Sequence, residues 1–216
     1  HDAESAGRVQ AWVVGPGLGT DETAAESLRF ALGTDLPVLV DADGLTLLAA
    51  DPDLVAERSA PTVLTPHAGE YQRVAGEPVG ADRVSAARGL AARLGVTVLL
   101  KGNVTVIAEP GGTAYLNPAG QSWAATAGSG DVLSGIIGAL LAAGLPPGEA
   151  AAAGAFVHAR AANLSAADPG PRPAPTSASP LRLDREWSSL PRGPQAQTLP
   201  SIVRADRDAG HAAGDR

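Results

Sequence analysis

Short apolar runs recur along the chain, each closed by glycine or polar residues, and most lead into a stretch with helical spacing. The first is Ala11-Trp12-Val13-Val14, β-prone and ending in Gly15-Pro16-Gly17-Leu18-Gly19. Thr20-Asp21 then offers an N-cap for a helix reaching about to Leu32. Val38-Leu39-Val40 predicts a second strand, with Asp41-Ala42-Asp43-Gly44 just past its end and a helix from about Leu45 to Ala50, stopped by Asp51-Pro52. Thr62-Val63-Leu64 is a third strand, followed by Thr65-Pro66-His67-Ala68-Gly69-Glu70. After Asp82, Val84, Ala87, Ala91 and Leu94 form a helical stripe.

Val96 to Leu100 has the pattern of a buried strand and ends in Lys101-Gly102. Val104-Thr105-Val106-Ile107 and Thr113-Ala114-Tyr115-Leu116 flank Gly111-Gly112, which predicts a hairpin. Leu133, Ile136, Ile137, Leu140 and Leu141 share one face of a helix that stops at Gly144 before Pro146-Pro147. A second, alanine-rich helix is expected from about Gly148 to Ala166.

Repeated strand–loop–helix order predicts an α/β fold, a largely parallel sheet covered by helices on both faces. Ligands of such sheets sit outside the carboxyl ends of the strands, where the polar motifs fall. Beyond Asp168 the character changes: eight of the 18 prolines lie between Pro169 and Arg216, with little periodicity. Residues 1–168 are therefore expected to form one domain and 169–216 an irregular, Pro-rich tail.

Composition narrows the chemistry. Hydrophobic residues make up 44% and charged residues 18% of the 216, which suits a globular core. There is no cysteine, so disulfides and thiolate metal sites are excluded. A formal charge of −7 without a clustered Lys/Arg run argues against nucleic-acid binding. The uncharged stretch from Val132 to Gly148 is broken by Ser134, glycines and prolines, whereas a spanning helix needs about 20 apolar residues. His1-Asp2-Ala3-Glu4 carries none of the features of a secretory signal, and the expectation is a soluble cytoplasmic protein.

The most telling stretch is Thr126-Ala127-Gly128-Ser129-Gly130-Asp131, running into the apolar helix from Val132. Two glycines and a serine gather backbone N–H groups at a helix start, where a phosphate is favoured. An acid beside a phosphate cradle is repelled by it, unless it takes a proton from a group about to be phosphorylated. Asp131 could alternatively do no more than compensate the helix dipole. Lys101-Gly102-Asn103-Val104-Thr105 supplies a cation at a strand end and a glycine that lets a nucleotide approach, or else an ordinary turn lysine. His67 is open between a ligand contact and a structural role, and Glu70 could cap the helix that follows. Asp41 and Asp43 could hold Mg²⁺ through water, bind a ribose hydroxyl, or act as caps. The Gly15–Gly19 loop alone reads equally well as a tight turn. Asn117-Pro118-Ala119-Gly120 is a turn placed to serve as a flap.

Taken in order, Val14-Gly15-Pro16-Gly17-Leu18-Gly19, Val40-Asp41-Ala42-Asp43-Gly44-Leu45, Leu64-Thr65-Pro66-His67-Ala68-Gly69-Glu70, Lys101-Gly102 and Ala127-Gly128-Ser129-Gly130-Asp131-Val132-Leu133-Ser134-Gly135 resemble the ADP/ATP-dependent NAD(P)H-hydrate dehydratases. These are the carbohydrate-kinase-like domain of nicotinamide nucleotide repair. The resemblance covers about Ala11 to Asp168 and implies a ribokinase-like fold, with the hairpin near the nucleotide site. It implies a lyase that dehydrates the S epimer of NAD(P)HX, hydroxylated at C6 of the nicotinamide ring, to NADH or NADPH. ADP, or ATP, phosphorylates that hydroxyl and phosphate then leaves, giving AMP from ADP.

Carried over position by position, Asp131 would be the general base. Lys101, Gly102, Asn103, Val104, Thr105, Gly128 and Gly130 would hold the nucleotide. Gly17, Gly19, His67 and Asp131 would contact NAD(P)HX. Mg²⁺ is expected with the phosphates, a homo-oligomer is expected, and an epimerase domain precedes this one in some bacterial polypeptides. Family members carry further strands before the Gly-Pro-Gly loop, so the resemblance implies a chain lacking its N-terminal segment, one sheet edge and part of the substrate pocket. The family's closing helix is not evident after Thr176-Ser177-Ala178-Ser179. The alternatives are a ribokinase-like kinase of a small alcohol and an inactive nucleotide-binding remnant.

Overall fold

The computed structural model describes residues 8–56, 58–118, 126–167 and 203–205. Strands β1 (Trp12–Val14), β2 (Val38–Val40), β3 (Thr62–Leu64) and β4 (Thr97–Leu100) alternate with helices α1 (Glu22–Leu32), α2 (Ala42–Leu48), α3 (Ala68–Ala75) and α4 (Arg83–Leu94). The hairpin β5 (Val104–Ala108) and β6 (Ala114–Pro118) follows, then α5 (Ser129–Ala142), α6 (Pro147–Ala167) and β7 (Val203–Ala205). All belong to one sheet in the order β1-β2-β3-β4-β5-β6-β7. β1 to β4 are parallel, with Val13 opposite Leu39 and Leu39 opposite Val63. The last three pairings are antiparallel, so β6 runs with β1 to β4 while β5 and β7 run against them.

Burial on both faces explains why the strands read as unbroken apolar runs rather than as alternations. Val38, Val40, Leu64, Val98, Leu100 and Val106 enter one core with Leu28, Leu45, Leu90 and Leu94. Leu39, Val63, Leu99 and Ile107 enter the other, against Leu133, Ile137 and Leu141 of α5 and Ala151 and Ala155 of α6. Small residues set the spacing on this second face. A side chain at Gly138 would overlap Val13, and one at Gly154 would run into Ile137.

Two elements depart from the expected bounds. α2 begins at Ala42 rather than near Leu45, because Asp41 adopts the extended cap conformation and Gly44 lets the first turn lie against β1. A Cβ at Gly44 would stand 2.9 Å from the Val14 carbonyl oxygen. Within the stretch expected to be an irregular tail, Val203–Ala205 pairs with β6, Val203 opposite Leu116. Three residues, one of them an arginine, carry no readable period. The rest of 169–216 and residues 119–125, including half of the expected flap, lie outside the described residues. Among the described residues no helix is long and apolar enough to cross a membrane.

Candidate active site

The carboxyl ends of β1 to β4 bring four of the polar motifs together. Gly15, at φ 127°, packs directly on the Asp41 carbonyl, where any side chain would overlap that oxygen. The loop it opens turns through Gly17 and Gly19, at φ 65° and 81°, conformations that favour glycine. Asp43 Oδ2 accepts the Gly19 N–H at 2.9 Å, so the first turn of α2 holds the end of that loop. Neither Gly17 nor Gly19 has an atom near its Cβ position, which leaves the loop open on its outer side.

His67 is the N-cap of α3. Its Nδ1 accepts from the N–H groups of Gly69 (2.9 Å) and Glu70 (3.2 Å), while Glu70 Oε2 accepts the His67 N–H at 2.8 Å. This is a reciprocal capping box with histidine in the role usually taken by serine or threonine. An accepting Nδ1 puts the proton of the neutral ring on Nε2, which lies 3.4 Å from Glu70 Oε1. The ring remains half exposed, at 54% of its side-chain surface. Glu70 thus caps α3, as the sequence allowed.

Lys101 closes β4, its backbone N–H bonded to the Pro66 carbonyl at 2.8 Å. Its Nζ lies 2.7 Å from Asp41 Oδ1 and 3.6 Å from Glu70 Oε2. Ser134, in the second turn of α5, donates to Asp41 Oδ2 at 2.8 Å. Asp41 and Glu70 are both buried, so one ammonium is shared by two carboxylates in a weakly screened setting. Arg83 donates to the Lys101 carbonyl at 2.9 Å and lies against Gly102. Thr105 Oγ1 bonds back to the Gly102 carbonyl at 3.4 Å, and Val104 is an exposed apolar side chain at the start of β5.

The start of α5 completes the cluster. Gly128 is its N-cap, left-handed at φ 82°, and the Ser129 N–H is taken by the Thr126 carbonyl at 3.1 Å. The first helical bond is made by Val132 to Gly128 at 3.3 Å, so the N–H groups of Gly130 and Asp131 precede it at the helix mouth. A Cβ at Gly130 would lie 3.7 Å from both Asp41 Oδ2 and Lys101 Nζ, which sets this mouth beside the buried ion pair. Asp131 is exposed in the first turn. Ser129 Oγ stands 2.9 Å from His158 Nε2 on α6. Burial pushes the His158 imidazole below its ordinary value, a shift partly offset by hydrogen bonding to the Ser129 backbone.

Lys101, Gly130 and, through the capping box, His67 therefore meet around Asp41 and Glu70. Asn103, Val104 and Thr105 follow Lys101 at the start of β5, Asn103 and Val104 exposed, and the Gly17–Gly19 turn is joined to the cluster through α2. Sequence reasoning left out His158, Ser134 and Arg83. A lone histidine amid the alanines of α6 was the available signal for the first. Asp41 was weighed as a cap, a Mg²⁺ contact through water or a ribose contact; its carboxylate makes no cap bond and is held by Lys101 and Ser134.

Comparison with known proteins points the same way. The carbohydrate-kinase family model described as NAD(P)H-hydrate dehydratase matches residues 1–181. A bifunctional NAD(P)H-hydrate repair enzyme of Mycobacterium leprae is 78% identical over 175 residues, 81% of this chain and 37% of that protein. An ADP-dependent (S)-NAD(P)H-hydrate dehydratase of Neisseria meningitidis is 47% identical over 163 residues, 72% of this chain and 55% of that one. The chain thus spans little more than a third to about half the length of these relatives. The Bacillus subtilis ADP/ATP-dependent NAD(P)H-hydrate dehydratase, co-crystallised with ATP/Mg²⁺ and soaked with CoA, superposes with a TM-score of 0.71 at 31% identity, over 83% of this chain and 66% of that one. The expected ribokinase-like α/β fold is the fold observed.

Proposed function

Because the chain belongs to the NAD(P)H-hydrate dehydratase family of carbohydrate-kinase-like proteins, we propose that it dehydrates hydrated NADH or NADPH at the expense of ADP. The observation that carries this reading is the mouth of α5, with Gly130 beside the Lys101–Asp41 pair and Asp131 in the first turn. Hydroxide is a poor leaving group and phosphate a good one, so a kinase scaffold can run a dehydration. Asp131 removes the proton of the C6 hydroxyl as that oxygen attacks the β-phosphorus of ADP, releasing AMP. The C6–O bond then breaks with departure of phosphate, and loss of the C5 proton restores the ring double bond. The N–H groups of Gly128 and Gly130 and the Lys101 ammonium stabilise charge on the transferring phosphoryl.

Lys101, Gly102, Asn103, Val104 and Thr105, with Gly128 and Gly130, hold the nucleotide. Gly17, Gly19 and His67 hold the hydrated dinucleotide beside Asp131. Mg²⁺ fits this site as an ion carried by the phosphates and by water. The nearest buried carboxylates, Asp41 and Glu70, are engaged by Lys101, Ser134 and the His67 N–H. Among the described residues no three His, Cys, Asp or Glu side chains converge to hold a metal. When bound, the ion supplies positive charge against the phosphates. Residues 1–168 form the dehydratase domain and 169–216 its extension. In this reading it is a cytoplasmic homo-oligomer, working alongside an epimerase activity.

The test is direct. The chain is incubated with hydrated NADH, Mg²⁺ and ADP, then with ATP in place of ADP, and the reduced-nicotinamide absorbance is followed. Recovery dependent on ADP supports the reading. Nucleotide binding without recovery, or phosphorylation of an unrelated alcohol instead, refutes it.

A further inference from the structure

Asp41 forgoes the bond its position offers. It occupies the N-cap of α2, where an aspartate ordinarily accepts a backbone N–H of the first turn, yet it makes no side-chain cap bond. The next residue, Ala42, sits at φ 47°, a conformation that β-carbon-bearing residues avoid. Two local preferences are set aside, and the carboxylate, 1% exposed, is turned the other way. There Oδ1 takes Lys101 Nζ at 2.7 Å and Oδ2 takes the Ser134 hydroxyl at 2.8 Å.

We propose that Asp41 is a positioning residue for the nucleotide site. A single buried carboxylate ties the cation at the end of β4 to the second turn of α5, fixing Lys101 relative to the α5 N-terminus. The inference rests on the reading above, in which both ends of that tie face phosphate. A lysine stem has four rotatable bonds, and an ammonium that swings gives charge without geometry. Glu70 Oε2, at 3.6 Å, is too distant to fix the ammonium by itself. Gly130 leaves the gap between the pair and the helix mouth free of side chain, so a phosphate oxygen can approach both.

Without Asp41 the lysine still attracts phosphate in the ground state but no longer holds the transferring group in place. The expected signature is a loss of kcat with little change in KM for ADP. In the 216-residue chain, Asp41→Asn is expected to lower kcat by about 10- to 100-fold while the ADP KM stays within about threefold. In a Lys101→Ala background the same change is expected to alter kcat by less than about threefold, because it acts through the lysine. Independent, additive losses would overturn the proposal, as would a folded Asp41→Asn protein with full kcat.

A second readout needs no turnover. Acetylation of Lys101 by an N-hydroxysuccinimide ester, followed by peptide mass spectrometry, is expected to be at least about threefold faster in Asp41→Asn, since a side chain released from its 2.7 Å pairing is free to swing out to the reagent. Equal rates would overturn the tie whether or not the chain is a dehydratase. A chain without turnover whose Lys101 is nonetheless protected refutes the functional reading alone. Should Asp41→Asn not fold, Ser134→Ala removes the other anchor. Unchanged Lys101 acetylation and unchanged kcat in that variant overturn the proposal.

Discussion

Ser129 Oγ and His158 Nε2, 2.9 Å apart, join the first residue of α5 to the middle of α6. The contact ties the start of α5 to α6. His158 is almost wholly buried, and desolvation disfavours its charged form more than hydrogen bonding to the Ser129 backbone restores it. The folded state therefore binds fewer protons here than the unfolded chain. Stability from this residue is complete above the ordinary histidine value of about 6.5 and declines as pH falls through it. The melting temperature is expected to drop between pH 7.5 and pH 5.5, and His158→Gln is expected to flatten that part of the profile. A profile unchanged by the substitution would assign the loss to other groups.

The capping box at His67 separates two roles that one residue holds. Its Nδ1 serves α3, while its ring is half exposed. His67→Ala is expected to cost about 1 kcal/mol in denaturant unfolding, the usual effect of losing an N-cap. His67→Asn keeps a good cap and is expected to stay within about 0.5 kcal/mol of the parent. If the ring contacts the hydrated dinucleotide, the asparagine variant raises its KM by roughly tenfold, about one hydrogen bond. A variant with unaltered stability and unaltered KM would confine His67 to capping.

The sheet, its helices and the order of the motifs were legible because their signals are local. Apolar runs, caps such as Asp21 and Asp82, and the Gly111-Gly112 turn act within a few residues of themselves. Asp41 could not be read this way. From the sequence it was a cap, a Mg²⁺ contact through water or a ribose contact, all of them roles an aspartate at a strand end can take. Its actual partners are 60 and 93 residues away in the chain. His158 was hidden for the same reason, 29 residues from the serine it meets. Long-range polar pairs follow from topology, which the local pattern predicts only in outline. β7 was missed for a different reason, being three residues in an aperiodic stretch.

Gly15 and Gly17 stand two residues apart in one loop and should respond very differently to the same change. At Gly15 a methyl group would overlap the Asp41 carbonyl, and φ 127° suits glycine alone. Gly15→Ala is expected to cost about 3 kcal/mol or more, from overlap and strain together. At Gly17, φ 65° lies in the left-handed region that other residues can visit, and no atom stands near the added carbon. Gly17→Ala is expected to cost about 1–2 kcal/mol. If Gly17 contacts the hydrated dinucleotide, the variant's larger effect should fall on the KM for that substrate. Urea titrations of both variants check the ratio, and equal costs would refute the account of the loop.

Asp131 carries the sharpest test of mechanism. It is exposed in the first turn of α5, so its removal takes away only a dipole-compensating charge, worth about 0.3–1 kcal/mol. The protein should fold. If Asp131 is the base for the attacking hydroxyl, Asp131→Ala is expected to lose about 10²–10⁴ in kcat, the usual contribution of a positioned general base. ADP affinity should stay within a few-fold, since removing an anion beside a phosphate cradle relieves repulsion as much as it disturbs the site. Calorimetric titration with ADP beside single-turnover kinetics separates the two quantities. A variant that kept most of its rate would move the base elsewhere. One that lost binding and rate together would make Asp131 a binding residue whose carboxylate never takes the proton.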